Sequence, residues 1–400
     1  MQNQIPSKWQ KVKLGEIMNV YGGGTPSTKK ASNWNGNIPW LTPAELTNHN
    51  NRSIGRTASC ITESGLKNSS ARIMPKNSIL LTSRATIGNV TLNTVPMATN
   101  QGFINIDPVK VDRDFLYYWL KKNRTYLNQI AVGSTFPEIS KSVFKEIETI
   151  IPIDRVEQKN IGMFLSAFDD KIEANNKIAK TLEEMAQAIF KEWFLNRKVG
   201  WEDKRLDTLL TLKHGLAFKS GQFVIDKTNF VVVRMGNFQQ NGGLQFLENT
   251  VYLTETSEYK KYLLKPGDMV MIFSDITREG RLIGNIGLIP NDGKDYYLNQ
   301  RVVKIETDLI YKYFLLSLFN SSKFHQHCLS RADSATVLNL KNEHIYEFKV
   351  QIPDEKTIRR FNDLIKPIFD TTELLKLENQ ELTTVRDLLL LKLMRGEIRI

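Results

Sequence analysis

Residues 161–194 read IGMFLSAFDDKIEANNKIAKTLEEMAQAIFKEWF, with no proline and no glycine after Gly162. Steps of four and three along this stretch collect Ile161, Leu165, Phe168, Ile172, Asn175, Ala179, Leu182, Ala186, Ile189 and Trp193 on one seam. A seam of that period predicts one long coiled-coil helix, roughly 50 Å at 1.5 Å per residue. So long an amphipathic helix needs a partner for its apolar face. Counting 200 residues on supplies one: Phe361, Ile365, Ile368, Thr372, Leu375, Asn379, Leu382, Arg386, Leu389 and Leu393. Pro367 is expected to kink or restart this second helix. Asn175 and Asn379 share a register, so a polar layer that sets the pairing is expected. Phe190, Trp193 and Phe194 exceed what one seam needs, and FKEWF is read as a partner-binding surface.

The same offset organises the rest of the chain. WQKVKL at 9–14 answers WEDKRL at 201–206, and IPWLTPAEL at 38–46 answers FVVVRMGNF at 230–238. MPKNSILLTSRATIGNV, from Met74, answers KPGDMVMIFSDITREGRLIGNI, from Lys265, with Ile87–Asn89 matching Ile283–Asn285. Asn100–Gln101 matches Asn299–Gln300, DFLYYWL at 114–120 is set against DLIYKYF at 308–314, GST at 133–135 against SAT at 334–336, and each block closes on Ile-Pro. Shared order at a near-constant offset marks a tandem duplication. SILLT and DMVMIF, each after a turn, predict strands; the aromatic runs 115–127 and 309–324 predict short helices. The expected fold is therefore α+β: two homologous α/β domains separated by two long antiparallel coiled-coil helices, with a pseudo-two-fold internal repeat. The expected boundaries are 1–152 and 199–352 for the domains, and 153–198 and 353–400 for the helices.

Charge follows this division. The net charge is +11, and residues 1–150 carry 18 Lys/Arg against 9 Asp/Glu. Residues 201–350 carry 19 against 17, while 151–200 and 351–400 are balanced. Basic blocks joined by neutral helices predict that the blocks touch a polyanion and the helices do not. The apolar fraction of 41% argues for folded material, and two cysteines cannot build a disulfide framework, so a cytoplasmic protein is expected. No apolar run approaches a membrane span. Two related but divergent readers on a rigid spacer imply an asymmetric two-part target on double-stranded DNA.

Motifs for self-sufficient chemistry are missing. A methyltransferase needs an Asn/Asp-Pro-Pro-aromatic motif at its flipped base, whereas Asp107-Pro108 is followed by Val109. GGGTP at 22–26 lacks dinucleotide-loop spacing, and GLIPNDGKD lacks P-loop spacing. His325, His327 and Cys328 have no second ligand pair, so they are read as core or surface residues.

The helical stretches are similar to the conserved regions of a known family, the specificity subunits of type I restriction-modification systems. FLSAFDDKIEANNKIAKTLEEMAQAIFKEWF resembles its central conserved region, and ENQELTTVRDLLLLKLMRGEIRI its distal one. SRATIGNV followed by NQGF at 100–103 resembles its first target-recognition domain. SDITREGRLIGNI departs from that form by an insertion, and LNQRVVKI lacks the Gly-Phe. The resemblance implies a non-catalytic DNA-reading subunit, one domain per half-site of a gapped sequence. Two methyltransferase subunits would dock on its helices and restriction subunits would join through them. S-adenosylmethionine, ATP and Mg²⁺ would then sit on those partners, with no cofactor or metal on this chain.

Long polar side chains on the loops are the expected base and phosphate readers. In the first block these are Thr25, Ser27, Lys29, Lys30, Arg84, Asn100 and Gln101; in the second, His214, Lys219, Arg234, Arg278, Arg281 and Arg301. Asn100–Gln101 and Asn299–Gln300 fit a structural turn equally well. Two other readings stay open: the recognition part of a split nuclease–methyltransferase with cryptic cleavage activity, and a coiled-coil scaffold that binds no DNA.

Overall fold

The computed structural model describes residues 6–400, apart from 48, 50, 134–136, 196–199, 225, 241, 247–249, 255–256, 278 and 335–336. The GST and SAT matches and Arg278 therefore lie wholly or partly outside the described residues. The chain forms two compact units, one of residues 1–175 with 379–400 and one of 176–378. Each holds one globular block and half of each long helix.

The first unit is built on a five-stranded sheet in the order Met18–Gly22, Phe103–Pro108, Ile79–Thr82, Val90–Asn93, Ser53–Ile54. Its centre is ILLT, buried at all four positions, as a continuous apolar run predicts for a strand covered on both faces. The turn before it reverses at Asn77, with φ +70. A smaller sheet sets Trp34–Leu41 between Ser59–Ile61 and Ala98–Thr99, the last pair parallel. Block start and block end close on each other, Trp9 opposite Pro152 through Lys13 opposite Glu148.

The second unit repeats this plan. Its main sheet runs Leu210–His214, Val302–Thr307, Met269–Ile272, Ile286–Leu288, the same order without the fifth strand. Its second sheet again places a parallel pair, Phe230–Val233 with Asp295–Leu298, next to Val251–Leu253. The turn before MVMI reverses at Gly267, φ +78, and Glu202 pairs with Ile352 as block start meets block end. The glycines of both IGN motifs sit at positive φ, Gly88 at +85 and Gly284 at +76. The asparagines after them donate to the backbone of the facing turn: Asn89 to Leu46 O and Asn285 to Gln239 O. One sequence match shifts. The short helices are Arg113–Lys122 and Lys312–Phe319 with caps Asp112 and Tyr311, so Phe115-Leu116 answers Phe314-Leu315, not Leu309-Ile310.

The central helix runs unbroken from Arg155 to Phe190 and widens into a π-turn over Lys191–Leu195. The distal helix runs from Glu355 to Leu393 with Pro367 inside it. It does not restart at Pro367, because that residue and Asp363, whose carbonyl loses its donor, both lie on the exposed face. Seam residues are buried or half-buried along both helices. In the first unit Asn175 donates to Asn379 Oδ1 at 2.9 Å, the polar layer that the shared register predicts. In the second, Phe190 meets Phe361 with ring centroids 6.1 Å apart. Within each unit residue numbers rise on one helix while falling on the other, Asp169 with Arg386 and Asn175 with Asn379 in the first, Glu183 with Lys376 and Phe190 with Phe361 in the second, so the pairing is antiparallel. Among the described residues no helix is long and apolar enough to cross a membrane.

Candidate nucleic-acid interface

In each unit the loops that leave one end of the main sheet converge on a rim. In the first unit the rim begins at Gly22–Gly24, and glycine is obligatory at Gly23 and Gly24. A Cβ on Gly23 would lie 1.9 Å from Asn100 O, and Gly24 donates to Thr99 O at 2.9 Å. The Thr25 hydroxyl donates to Gln101 Oε1. The Asn100 side chain accepts from Gly102 N at 2.8 Å, so it shapes the turn that presents Gln101. Ser83 donates to Gly102 O, which sets Arg84 next to this turn, and Arg84 pairs with Glu138 at 2.8 Å. Thr25, Arg84, Asn100 and Gln101 are thus brought together. Ser27, Lys29 and Lys30 are exposed on the same loop, with the Ser27 carbonyl pinned by Asn33 and Trp34 at 3.2 Å each. Sequence reasoning missed Arg72, whose guanidinium covers the Tyr21 ring at 4.0 Å. No motif marks its loop.

The second rim uses the same scaffold with different side chains. Gly215 stands where Gly23 does: its Cβ would lie 2.3 Å from Asn299 O. That match could have been found by aligning GGGTP with HGLAF. His214 bonds Asn342 Oδ1 at 2.7 Å and sets its ring edge-on to Phe273. Phe273 donates to Arg301 O at 3.1 Å, so His214 and the exposed Arg301 share one patch. Arg281 lies on the inserted loop and pairs with Glu279. Lys219 and Arg234 lie apart from these, toward the second sheet, where Arg234 stacks on Phe223 at 5.6 Å. The organiser of the inserted loop is Asp275, fully buried, which the sequence reading missed. Its carboxylate accepts from Thr277 N at 2.7 Å, Leu282 N at 2.5 Å and Ile283 N at 3.2 Å. Three main-chain donors on one buried carboxylate hold a loop in one shape.

No group of three or more His, Cys, Asp or Glu among the described residues could hold a metal ion. His325 and His327 instead bond the backbone oxygens of Ile283 and His344 at 3.1 and 2.7 Å. Cys328 is buried under Gly284, and burial pushes its thiol up to about 12.

The partner-binding expectation for FKEWF needs correction. Phe190 is 0% and Phe194 6% exposed, both inside the second unit's core with Phe314 and Phe361. Trp193 is half-buried against Phe361. These aromatics fill the wedge where the helix meets its own globular block. The exposed apolar residues lie elsewhere. The central helix exposes Phe164, Ala167 and Ala174 in the first unit and Ile178, Met185 and Ala188 in the second. The distal helix exposes Leu364 and Leu374 in the second unit and Val385 and Leu388 in the first. At about 100° per residue, Phe164, Ala167 and Ala174 point away from Gly162 and Asp169, which face the first unit's globular block.

The family described as the type I restriction modification DNA specificity domain matches residues 6–184 and again 198–384. The type I restriction enzyme MjaIX specificity subunit of Methanocaldococcus jannaschii is 32% identical over 427 aligned residues, covering 99% of this chain and 95% of that protein. The HindI specificity subunit of Haemophilus influenzae is 24% identical, covering 71% and 77%. The crystal structure of a type I restriction-modification S subunit from M. genitalium shares the fold, with a TM-score of 0.59 at 19% identity over 98% and 97% of the two chains. With both halves matched to one domain family and a full-length relative beside them, this chain belongs to the type I restriction-modification specificity subunits.

Proposed function

We propose that this chain is the non-catalytic DNA-recognition subunit of a type I restriction-modification complex. It reads an asymmetric, gapped sequence, one rim per half-site. The observation that carries the reading is the repeated rim: Gly23 and Gly215, and the turns at Asn100 and Asn299, keep one scaffold while the projecting side chains differ. A fixed scaffold with changed side chains is what two readers of different sequences need. Thr25, Ser27, Lys29, Lys30, Arg84 and Gln101 serve the first half-site; His214, Lys219, Arg234, Arg281 and Arg301 serve the second, with Arg278 assigned from sequence alone. Asn100 holds its turn.

The same reading gives the chain its partners. Two methyltransferase subunits dock on the long helices, restriction subunits join through them, and the assembly works in the cytoplasm. S-adenosylmethionine, ATP and Mg²⁺ belong to those partners. The exposed apolar rows through Phe164 and through Met185 supply the docking surface in place of FKEWF. Co-expression with a methyltransferase subunit should give adenine methylation at one gapped motif, mapped by long-read sequencing; methylation of a continuous motif would sink the reading. Exchanging 201–350 for another reader should change one half-site only. Met185→Asp should weaken co-purification of the methyltransferase subunit while leaving the fold intact.

A further inference from the structure

Each rim carries a short strip of backbone beyond its central strand, and the two strips are built alike. In the first unit Ile139 donates to Ser83 O at 3.1 Å, Arg84 stands opposite Glu138, and Glu138 exchanges two bonds of 3.0 Å with Val132. In the second, Leu340 donates to Phe273 O at 2.8 Å, Ser274 stands opposite Asn339, and Asn339 opposite Asp333. Arg84 and Ser274 are therefore equivalent positions, and so are Glu138 and Asn339. At both, the facing side chains bond each other: Arg84 Nη2 to Glu138 Oε2 at 2.8 Å, and Ser274 Oγ to Asn339 Oδ1 at 2.7 Å. The couple differs as a whole, charged in one reader and neutral in the other, on the same backbone.

The charged couple stays open to solvent. The Arg84 and Glu138 side chains are 44% and 35% exposed, whereas Ser274 is buried. The chain turns back directly after Arg84: Thr86 N donates to Arg84 O at 2.7 Å around Ala85, whose φ of +61 is rare for an L side chain. Arg84 is thus fixed through its backbone and through its guanidinium. A carboxylate on the rim of a block with twice as many cations as anions would repel phosphates, so its place there calls for a donor on the DNA. Base edges in the major groove supply such donors. A G·C pair presents N7 and O6 of guanine side by side and then the amino group of cytosine: two acceptors, then a donor. O6 and that amino group are hydrogen-bonded to each other, about 2.9 Å apart. Arg84 and Glu138 offer the complement, a two-pronged donor beside an acceptor 2.8 Å away. An A·T pair puts its donor between its two acceptors, which splits the fork.

We propose that Arg84 and Glu138 together read one G·C base pair of the first half-site, Arg84 donating to guanine and Glu138 accepting from the cytosine amino group. The proposal rests on the assignment of Arg84 to that half-site and adds Glu138 as a specificity-determining residue. The test uses the complex of this chain with its methyltransferase subunit, on duplexes that carry the gapped motif and vary one pair at a time. Wild type should require G·C at one position of the first half-site. Glu138→Ala should lower the ratio of the initial rate on G·C to that on the other pairs about fivefold or more, at that position alone. Arg84→Ser with Glu138→Asn gives the first strip the couple that the second unit carries. This double variant should methylate every pair at that position at similar rates and leave the second half-site unchanged. A first half-site with no required G·C pair would overturn the proposal, whatever the variants do. So would rates that Glu138→Ala lowers evenly on every duplex, relaxation at a pair other than G·C, or a preference that neither variant alters; in each case the two-reader assignment still stands. A continuous motif would overturn both.

Discussion

Arg386→Ala should be the most damaging single change in the first unit. Arg386 occupies a seam position where its neighbours are leucines, and its charge is met there by Asp169, with Asp387 at 2.7 Å. Removing one member of a buried ion pair costs about 3–5 kcal/mol, because the other charge stays buried without compensation. Here Asp169 keeps the Tyr118 hydroxyl at 2.5 Å and the Lys121 ammonium at 3.8 Å, which places the cost near the lower bound. For a unit of this size, about 3 kcal/mol lowers Tm by about 6–12 °C. The triple variant Tyr118→Phe, Asp169→Leu, Arg386→Met should behave differently. It replaces the three central members of the network by apolar groups and leaves only the more exposed Lys121 and Asp387, a change that is commonly neutral or stabilising. Scanning calorimetry on the three proteins decides. A single variant within about 1 kcal/mol of wild type, or a triple variant as damaged as the single, would refute the reasoning.

The other expectations concern the coil, the second rim and alkaline pH. Asn175→Leu should destabilise the coil by about 1–3 kcal/mol, since the Asn379 amide loses its buried partner, while Asn175→Leu with Asn379→Leu should recover the loss. In the assembled complex the double variant should accept a wider range of spacer lengths; an unaltered preference counts against a register-setting role. Asp275→Ala should release the loop 276–283 and abolish methylation specificity at one half-site only, and loss at both would contradict the assignment. Burial holds the phenols of Tyr117, Tyr118 and Tyr296 well above the usual range, with Asp169 reinforcing the first two and Asp292 the third. Above about pH 10 the unfolded chain releases these protons and the folded chain does not, so stability falls as pH climbs past that value. In a near-ultraviolet titration, these three of the 12 tyrosines should ionise only on unfolding. Full ionisation near pH 10 with intact circular dichroism would be the contrary result.

The coil was legible because its seam is a strict function of spacing, and spacing survives in sequence without knowledge of the partner. The duplication was legible for the same reason, through offset. What periodicity cannot tell is which surface covers a given face. Phe190 and Phe194 are apolar residues next to a seam, and only the position of Phe314 and Phe361 decides that they are core. The role of Arg386 on the second seam is not legible in sequence because its partners Asp169 and Tyr118 lie 217 and 268 residues away, the first as Arg386 Nη1 to Asp169 Oδ1 and the second through Asp169. Asp275 was missed because the donors that make it an organiser are main-chain groups, which carry no signature. At the rims, loop chemistry leads to residues that are exposed, apart from half-buried Asn100 and from Arg278, which lies outside the described residues, and Asn100 and Arg234 are committed to neighbours as well.

The division of the chain also sets an order of assembly. The second unit is one uninterrupted stretch, 176–378, whereas the first must recruit 379–400 to be whole. Leu390, Leu393 and Met394 belong to its hydrophobic core, and Arg399 reaches Ser7 O at 2.8 Å. On the ribosome the block made first therefore waits until residues 379–400 have been added. The 225 residues between Asn175 and Ile400 take on the order of 10–45 s at the usual 5–20 residues per second. The block made second has all its parts earlier. A stop codon at residue 379 would thus strike hardest at the part of the protein encoded farthest from it, and leave the nearer reader the better folded of the two.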